Sequence, residues 1–153
     1  KLIKQVVLID YTIIILGGNI MILITGGAHQ GKQKIARNLW EQKKEAHNTL
    51  EPVVAAGDTE DQERLLQAEI IVQFHLWIYK MTENGTDPYP FVHRLFQENP
   101  QVILTLDQVG CGVVPMDAFD RKYREMVGRI GCLLADQAKE VYLVTCGIAR
   151  KIK

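Results

Sequence analysis

Residues 26–33, GGAHQGKQ, carry a pattern that could hold the phosphates of a nucleotide. Gly26, Gly31 and Lys32 meet the pattern G-x-x-x-x-G-K-[ST], in which backbone N–H groups cradle phosphate oxygens and the lysine adds a positive charge. Gln33 stands where that pattern has a hydroxyl for Mg²⁺, and an amide is a poorer ligand for this ion. The sequence therefore predicts a phosphate-binding loop made of Gly26, Gly27, Ala28, His29, Gln30, Gly31, Lys32 and Gln33.

The surroundings of this loop decide between phosphate binding and the alternative, a glycine-rich turn with a chance lysine. An apolar run at 20–25 precedes the loop, and an amphipathic stretch at 32–47 follows it. A strand–loop–helix order directs the positive end of the helix dipole at the loop, where it attracts anions. The context favours phosphate binding.

Asp107 is the second candidate for chemistry, because it directly follows the apolar run at 101–106. In phosphate-loop enzymes an acid at the end of a neighbouring strand holds Mg²⁺. The rival position, after the run at 69–72, is the uncharged Gln73. We predict Lys32 and Asp107 as catalytic residues and Asp107 as the metal ligand. A second interpretation stays open, in which Asp107 only caps the loop that follows it.

The histidines and cysteines give weaker signals. The four histidines, His29, His47, His75 and His93, lack the spacing of a metal centre. His29 lies inside the loop and could donate to a nucleotide, whereas His75 is interpreted as a buried residue bonded to the backbone. The three cysteines lack C-x-x-C spacing, which argues against a disulfide framework and favours the reducing cytoplasm.

Strand and helix patterns alternate from residue 21 onward. Strands are predicted at 20–25, 52–57, 69–74, 101–106 and 140–147, and helices at 32–47, 59–68, 75–83, 90–98 and 117–139. Thr59 and Gln62 form a capping box that would begin the second helix, and residues 148–153 form a basic tail. The alternation predicts one α/β domain over 21–153, with a parallel sheet covered by helices on both faces.

Composition excludes some classes of partner. Eighteen basic residues balance eighteen acidic ones, so no overall charge favours nucleic acid or an anionic membrane.

Residues 1–20 contain Lys1, Lys4 and Asp10, which leave no apolar span long enough for a transmembrane helix. LGGNIM at 16–21 is what a ribosome-binding site and start codon give when translated, so we expect Met21 to be the native start. A disordered extension or an added strand at 1–20 is the alternative.

Four segments together carry a more specific signal. MILITGGAHQGKQ, VGCGVVP, DRKYREMVGRI and EVYLVTCGIARKIK, with a weaker match at FHLWI, resemble the adenosylcobinamide kinase / adenosylcobinamide-phosphate guanylyltransferase family of cobalamin biosynthesis. The resemblance covers roughly residues 21–33 and 102–153. It implies a RecA-like P-loop fold and assembly into a homo-oligomer. It also implies phosphorylation of adenosylcobinamide by GTP or ATP with Mg²⁺, and then transfer of GMP through a guanylylated histidine.

The chain departs from the family pattern at several polar positions. Gln33 replaces the loop hydroxyl, Gln108 replaces an acid, and the strand before FHLWI ends in Gln73. The family carries its guanylylated histidine in the segment that corresponds to 58–73, which contains no histidine here. We therefore predict a kinase-like enzyme without the usual guanylyl transfer. The alternative is a non-catalytic module that binds a nucleotide or a corrinoid.

Overall fold

The computed structural model describes residues 20–43, 51–113 and 115–153, and within them eleven helices and strands follow one another along the chain. These are β1 Ile22–Gly26, α1 Lys32–Gln42, β2 Val54–Ala56, α2 Gln62–Gln67, β3 Ile70–Val72, α3 Phe74–Glu83, α4 Tyr89–Glu98, β4 Ile103–Asp107, α5 Ala118–Gln137, β5 Glu140–Thr145 and β6 Ile148–Lys151.

The strands form a single six-stranded sheet in the order β2-β3-β4-β1-β5-β6. The pairs β2–β3, β3–β4, β4–β1 and β1–β5 are parallel. The predicted α/β class with one domain is therefore confirmed. In the register of the sheet Gly26 lies opposite Asp107 on one side and Val144 on the other. The end of β1 thus lies between the ends of β4 and β5, where ligands bind in open parallel sheets.

Helices cover both faces of the sheet, as predicted. On one face α1 buries Ala36 and Trp40 against strand residues that include Ile22, Ile24 and Ile103. On the other face α2, α3, α4 and α5 pack over Leu23, Ile71 and Leu104, burying Leu65, Leu66, Phe74, Trp77, Ile78, Phe91, Val92, Leu95, Tyr123, Val127, Ile130 and Leu134. Burial on both sides explains why the sequences of β1, β3 and β4 are largely apolar.

The prediction of a basic tail at 148–153 is wrong for the first four of these residues, which form the edge strand β6 antiparallel to β5. Thr145 pairs with Ile148 across a turn made by Cys146 and Gly147, whose φ angles are 50° and 77°. Positive φ at both central residues is the geometry of a tight hairpin turn. The last predicted strand accordingly ends at Thr145 and not at Gly147.

Several predicted element ends also differ from the structure. Helix α2 begins at Gln62, because the Asp61 side chain caps it by accepting a hydrogen bond from Arg64 N at 2.8 Å. The prediction that Thr59 begins this helix in a capping box is therefore wrong. The third strand ends at Val72, since Gln73 has a φ of 55° and turns the chain into α3. Helix α1 ends at Gln42. Residues 1–19 and 44–50, the latter including His47, lie outside the described residues.

Candidate functional site

Gly26 ends β1 and begins the predicted phosphate loop in a position that only glycine fits. Its φ is 151°, and a Cβ placed there would lie 2.3 Å from the carbonyl oxygen of Val144. Its own carbonyl oxygen accepts a hydrogen bond from Gln108 N at 3.0 Å. The start of the loop is therefore held tightly between β5 and the residue that follows β4.

The loop leads directly into helix α1. Gly31 is the N-cap residue, with a φ of 88° in the left-handed region that glycine adopts without strain. Lys32 is the first helical residue, so the N–H groups of the first turn have no partner inside the helix. This end of α1 can therefore donate hydrogen bonds to an anion in the loop.

Lys32 connects the loop to the end of β4. Its Nζ lies 2.8 Å from Asp107 Oδ1, and the same ammonium donates to the carbonyl oxygen of Gly27. The lysine is only 6% exposed. The parallel pairing of β1 with β4 causes this contact, because it sets Gly26 opposite Asp107. Two side chains predicted separately from the sequence thus meet in one place.

The loop, Lys32 and Asp107 border one cavity of about 470 Å³, a size within the ordinary range for small-molecule sites. Its lining contains Ala28, His29, Gln30, Gly31, Lys32, Gln33, Gln73, His75, Leu76, Thr105 and Asp107. Six of the eight predicted loop residues are in this lining. Gly26 lies in β1, and Gly27 reaches the site through its carbonyl oxygen.

Gln30 fixes the loop against the β5–β6 hairpin. Its side-chain Oε1 accepts a hydrogen bond from Cys146 N, and its backbone oxygen accepts one from Gly147 N at 3.0 Å. Gly31 also approaches Gly147 closely, since a Cβ on Gly31 would lie 3.5 Å from its Cα. Gln30 therefore supports the loop in addition to lining the cavity, a role that the sequence did not indicate.

His75 is a site residue that the sequence analysis missed. It lies in the first turn of α3, is 8% exposed, and has its Nδ1 3.8 Å from Asp107 Oδ1. This Nδ1 has no hydrogen-bond partner among the described residues, contrary to the expectation of a backbone bond. Burial lowers the pKa of the imidazole below its ordinary value, and the positive charge of Lys32 lowers it further. The Asp107 carboxylate and, to a lesser extent, Asp58 oppose this shift.

The corner between β3 and α3 holds His75 in place. Gln73 N donates to Thr105 Oγ1 at 2.9 Å, and a Cβ on Gly57 would lie 2.6 Å from Gln73 O. Tyr123 in α5 donates its hydroxyl to the backbone oxygen of His75 at 3.2 Å. Burial and the nearby Asp107 and Tyr79 raise the pKa of Tyr123 to about 12, so its hydroxyl stays protonated at neutral pH.

The donor set of the cavity suits a Mg²⁺ ion bound mainly by phosphates. Among the described residues Asp107 supplies the one carboxylate of the lining, and no cluster of three or more His, Cys, Asp or Glu side chains could hold a metal by itself. Mg²⁺ is commonly bound by one or two carboxylates together with substrate phosphates and water. Gln33 is exposed at the start of α1 and offers only an amide oxygen.

Two arginines of α5 hold the loop that follows Asp107. Arg124 donates to the carbonyl oxygens of Gly110 and Val113, and Arg121 donates to that of Pro115. In the same loop region the side chains of Val113 and Met116 are 94% and 97% exposed.

Within the ranges that the structure describes, no helix combines the length and apolar character needed to cross a membrane.

Comparisons with known proteins found similarity in the second half of the chain. Residues 77–152 match a family model described as cobinamide kinase / cobinamide phosphate guanyltransferase. These residues include Asp107 and α5, but neither the loop at 26–33 nor His75.

Two curated relatives are each 43% identical to this chain over 53 residues. Both carry the name bifunctional adenosylcobalamin biosynthesis protein CobU, and they come from Escherichia coli (strain K12) and Salmonella typhimurium (strain LT2). The aligned stretch covers 35% of this chain and 29% of each relative. Residues 77–152 of the chain are therefore similar to the cobinamide kinase / cobinamide phosphate guanyltransferase family.

Proposed function

We propose that this protein binds GTP or ATP through residues 26–33 and transfers the γ-phosphoryl group to the hydroxyl of adenosylcobinamide. The observation that carries the proposal is the 2.8 Å contact between Lys32 Nζ and Asp107 Oδ1 in the cavity formed by the loop. It joins a phosphate-binding pattern to the acid that follows a neighbouring parallel strand. The family match at 77–152 supports the choice of acceptor.

Phosphoryl transfer depends mostly on positioning and on the stabilisation of charge, and the site offers groups for both. The first turn of α1 would donate backbone hydrogen bonds to the β- and γ-phosphates. Lys32 would neutralise charge on the transferred group. To do so, its ammonium would give up part of its contact with Asp107 and contact the phosphates. Mg²⁺, held by Asp107 and the phosphate oxygens, would supply further neutralisation of charge when bound.

A pair of lysine variants tests the nucleotide site. Lys32→Ala removes the buried ammonium, whereas Lys34→Ala removes an exposed lysine of the same helix that does not line the cavity. We expect Lys32→Ala to weaken the binding of GTP and ATP by roughly tenfold to a hundredfold, because a hydrogen bond to a charged group contributes about 1.5–3 kcal/mol. Calorimetry should show little change for Lys34→Ala. Equal affinities for the two variants would overturn the proposed site.

A second function is a non-catalytic module that binds a nucleotide or a corrinoid. One observation favours it. Among the described residues Asp107 is the one carboxylate of the cavity, and it is already paired with Lys32. With Gln33 in place of a hydroxyl, such a site could bind phosphates and yet position Mg²⁺ poorly. The two functions differ in turnover, since only the kinase changes the mass of the corrinoid.

We also infer a homo-oligomer from the family resemblance, and a cytoplasmic location from the cysteine pattern, which favours a reducing compartment. The edge strand β6 and the segment after it expose Ile148 and Ile152, which are 73% and 55% accessible. Apolar side chains of this size at a sheet edge are compatible with a subunit contact. Sedimentation velocity of the purified protein tests the assembly, and a monomer at micromolar concentration would contradict it.

A further inference from the structure

A second cavity adjoins the proposed phosphate site at Asp107. It has a volume of about 370 Å³, within the ordinary range for small-molecule sites, and lies between helix α5 and the face of the sheet that this helix covers. Asp107 lines this cavity as well as the cavity that contains Lys32. A molecule bound in the second cavity would therefore lie beside the group that the proposed nucleotide site transfers.

The lining of the second cavity is mostly apolar. Among its described residues only Asp107 and Arg124 are charged, and the Arg124 guanidinium already donates to the carbonyl oxygens of Gly110 and Val113. The apolar members of the lining include Leu23, Leu106, Val109, Val127 and Val141. Sites for small molecules typically combine an apolar lining with a few polar groups. The cavity therefore suits an apolar part of a ligand.

The polar residues of the lining lie at the end of the cavity nearest the phosphate site. Thr25 and Asp107 belong to the last two residues of β1 and β4, whereas Leu23 and Val141 pair with each other farther back in the sheet. Leu23 precedes Gly26, the residue opposite Asp107, by three residues, which is about 10 Å along a strand. A ligand could thus place a hydroxyl group beside Asp107 and extend an apolar part away from it.

The loop after Asp107 forms one wall of this cavity. Gly110 and Cys111 contribute to the lining, and the hydrogen bonds from Arg124 attach this part of the loop to α5. Val113 and Met116, in the same loop region, have almost fully exposed side chains. Exposed apolar side chains beside a cavity extend its apolar surface for a ligand too large to enter it completely.

Gly128 keeps the α5 side of the cavity open. A glycine in the interior of a helix is destabilising relative to alanine. Gly131, which also lines the cavity, has a packing reason, because a Cβ there would lie 3.1 Å from Leu106 Cδ2. A Cβ on Gly128 would meet no atom within 4 Å. The described packing thus does not require glycine at position 128, whereas an open cavity does.

We propose that the second cavity binds the phosphoryl acceptor, an inference that rests on the proposed kinase function for the identity of that acceptor, adenosylcobinamide. A corrin ring is larger than the cavity, so the cavity would receive only part of the molecule, with the hydroxyl at the polar end beside Asp107. Val113 and Met116 would contact the part that stays outside. The acceptor and the nucleotide would then meet at the end of β4, which provides the positioning that phosphoryl transfer requires.

The cysteines of the chain provide a test that does not depend on turnover. Cys111 and Cys132 line the second cavity, whereas Cys146 lies in the β5–β6 turn and does not, and all three thiols are free and exposed. Purified protein is alkylated with iodoacetamide, and the modification of each cysteine is followed by mass spectrometry. We expect adenosylcobinamide alone, at about ten times its dissociation constant, to slow the alkylation of Cys111 and Cys132 by about tenfold, because only the free protein reacts. The rate at Cys146 should stay unchanged.

A pair of leucine variants tests the same cavity from α5. Gly128→Leu places a large side chain where the cavity is open, and Lys122→Leu adds the same side chain at an exposed position of α5 that does not line the cavity. We expect Gly128→Leu to weaken the binding of adenosylcobinamide by about tenfold or more, because the added atoms occupy the space of the ligand. Calorimetry should show unchanged affinity for GTP in both variants and unchanged affinity for adenosylcobinamide in Lys122→Leu.

The outcomes separate this inference from the proposed function. Phosphorylation by the wild type, with no protection of Cys111 and Cys132 or with equal protection of Cys146, would overturn the acceptor cavity and leave the kinase intact. Selective protection without any phosphate transfer would overturn the kinase and keep the cavity as a corrinoid site. If Gly128→Leu unfolds, the alkylation of the wild type decides, since it needs no substitution.

Discussion

Lys32 Nζ and Asp107 Oδ1 lie 2.8 Å apart, although the two strands β2 and β3 and the three helices α2, α3 and α4 come between the two residues in the chain. The contact depends on β4 lying directly beside β1, since that pairing sets the loop opposite the last residue of β4. The proposed phosphate site is thus a consequence of strand order as well as of a local motif.

Asp107→Asn tests whether the Asp107 carboxylate binds Mg²⁺. The amide keeps the shape of the side chain but removes the charge that would bind Mg²⁺. We expect the wild type to bind GTP or ATP about tenfold more tightly with Mg²⁺ than with EDTA, a difference of about 1.4 kcal/mol, and we expect the variant to lose this difference. Asp136→Asn, at an exposed position near the end of α5, is the control. A Mg²⁺ effect that persists unchanged in Asp107→Asn would show that another group binds the ion.

Gly26→Ala tests the close packing at the start of the loop. A φ of 151° and a Cβ only 2.3 Å from Val144 O leave no room for a side chain. We expect the free energy of unfolding to fall by about 3 kcal/mol or more. Gly128→Ala is the matched control, because Gly128 lies in α5 with no atom within 4 Å of an added Cβ. That change should raise the free energy of unfolding by about 0.5–1 kcal/mol. Similar losses in both variants would contradict the described packing.

Much of this architecture could be predicted from the sequence, because strands β1 to β4 are largely apolar and each is followed by a glycine or a polar residue. The position of Asp107 followed from the same rule. His75 could not be predicted, since its place depends on the left-handed turn at Gln73 and on packing against α5. Strand β6 was missed because it is short and lies at an exposed edge of the sheet, and because its sequence IARK, two apolar residues and then two basic ones, resembles a tail.

The stability of the protein should depend on pH through His75. Burial lowers the pKa of this imidazole in the folded state, whereas the unfolded chain keeps the ordinary value near 6.5. As the pH falls through that value the unfolded state takes up a proton first, so the free energy of unfolding decreases. Denaturant unfolding at pH 7.5 and 5.5 measures the decrease. It should be smaller in His75→Gln, and an equal decrease in both proteins would show that His75 titrates normally.

Guanylyl transfer through a protein histidine is expected to be absent. Residues 58–73 contain no histidine, and of the histidines that line the cavity His29 is exposed while His75 has its Nδ1 buried. Incubation with labelled GTP should therefore leave no acid-labile GMP on the protein. A GMP adduct that maps to His29, His47 or His75 would show that the reaction has been kept at another position.

Transfer of phosphate to the corrinoid is the most direct test of the whole account. Purified protein is incubated with adenosylcobinamide, Mg²⁺ and either GTP or ATP, and the corrinoid is analysed by mass spectrometry. We expect the corrinoid to gain one phosphate group, and we expect the gain to be lost in Lys32→Ala and kept in Lys34→Ala. Nucleotide binding by the wild type without any gain of phosphate would contradict the kinase and establish the binding module in its place.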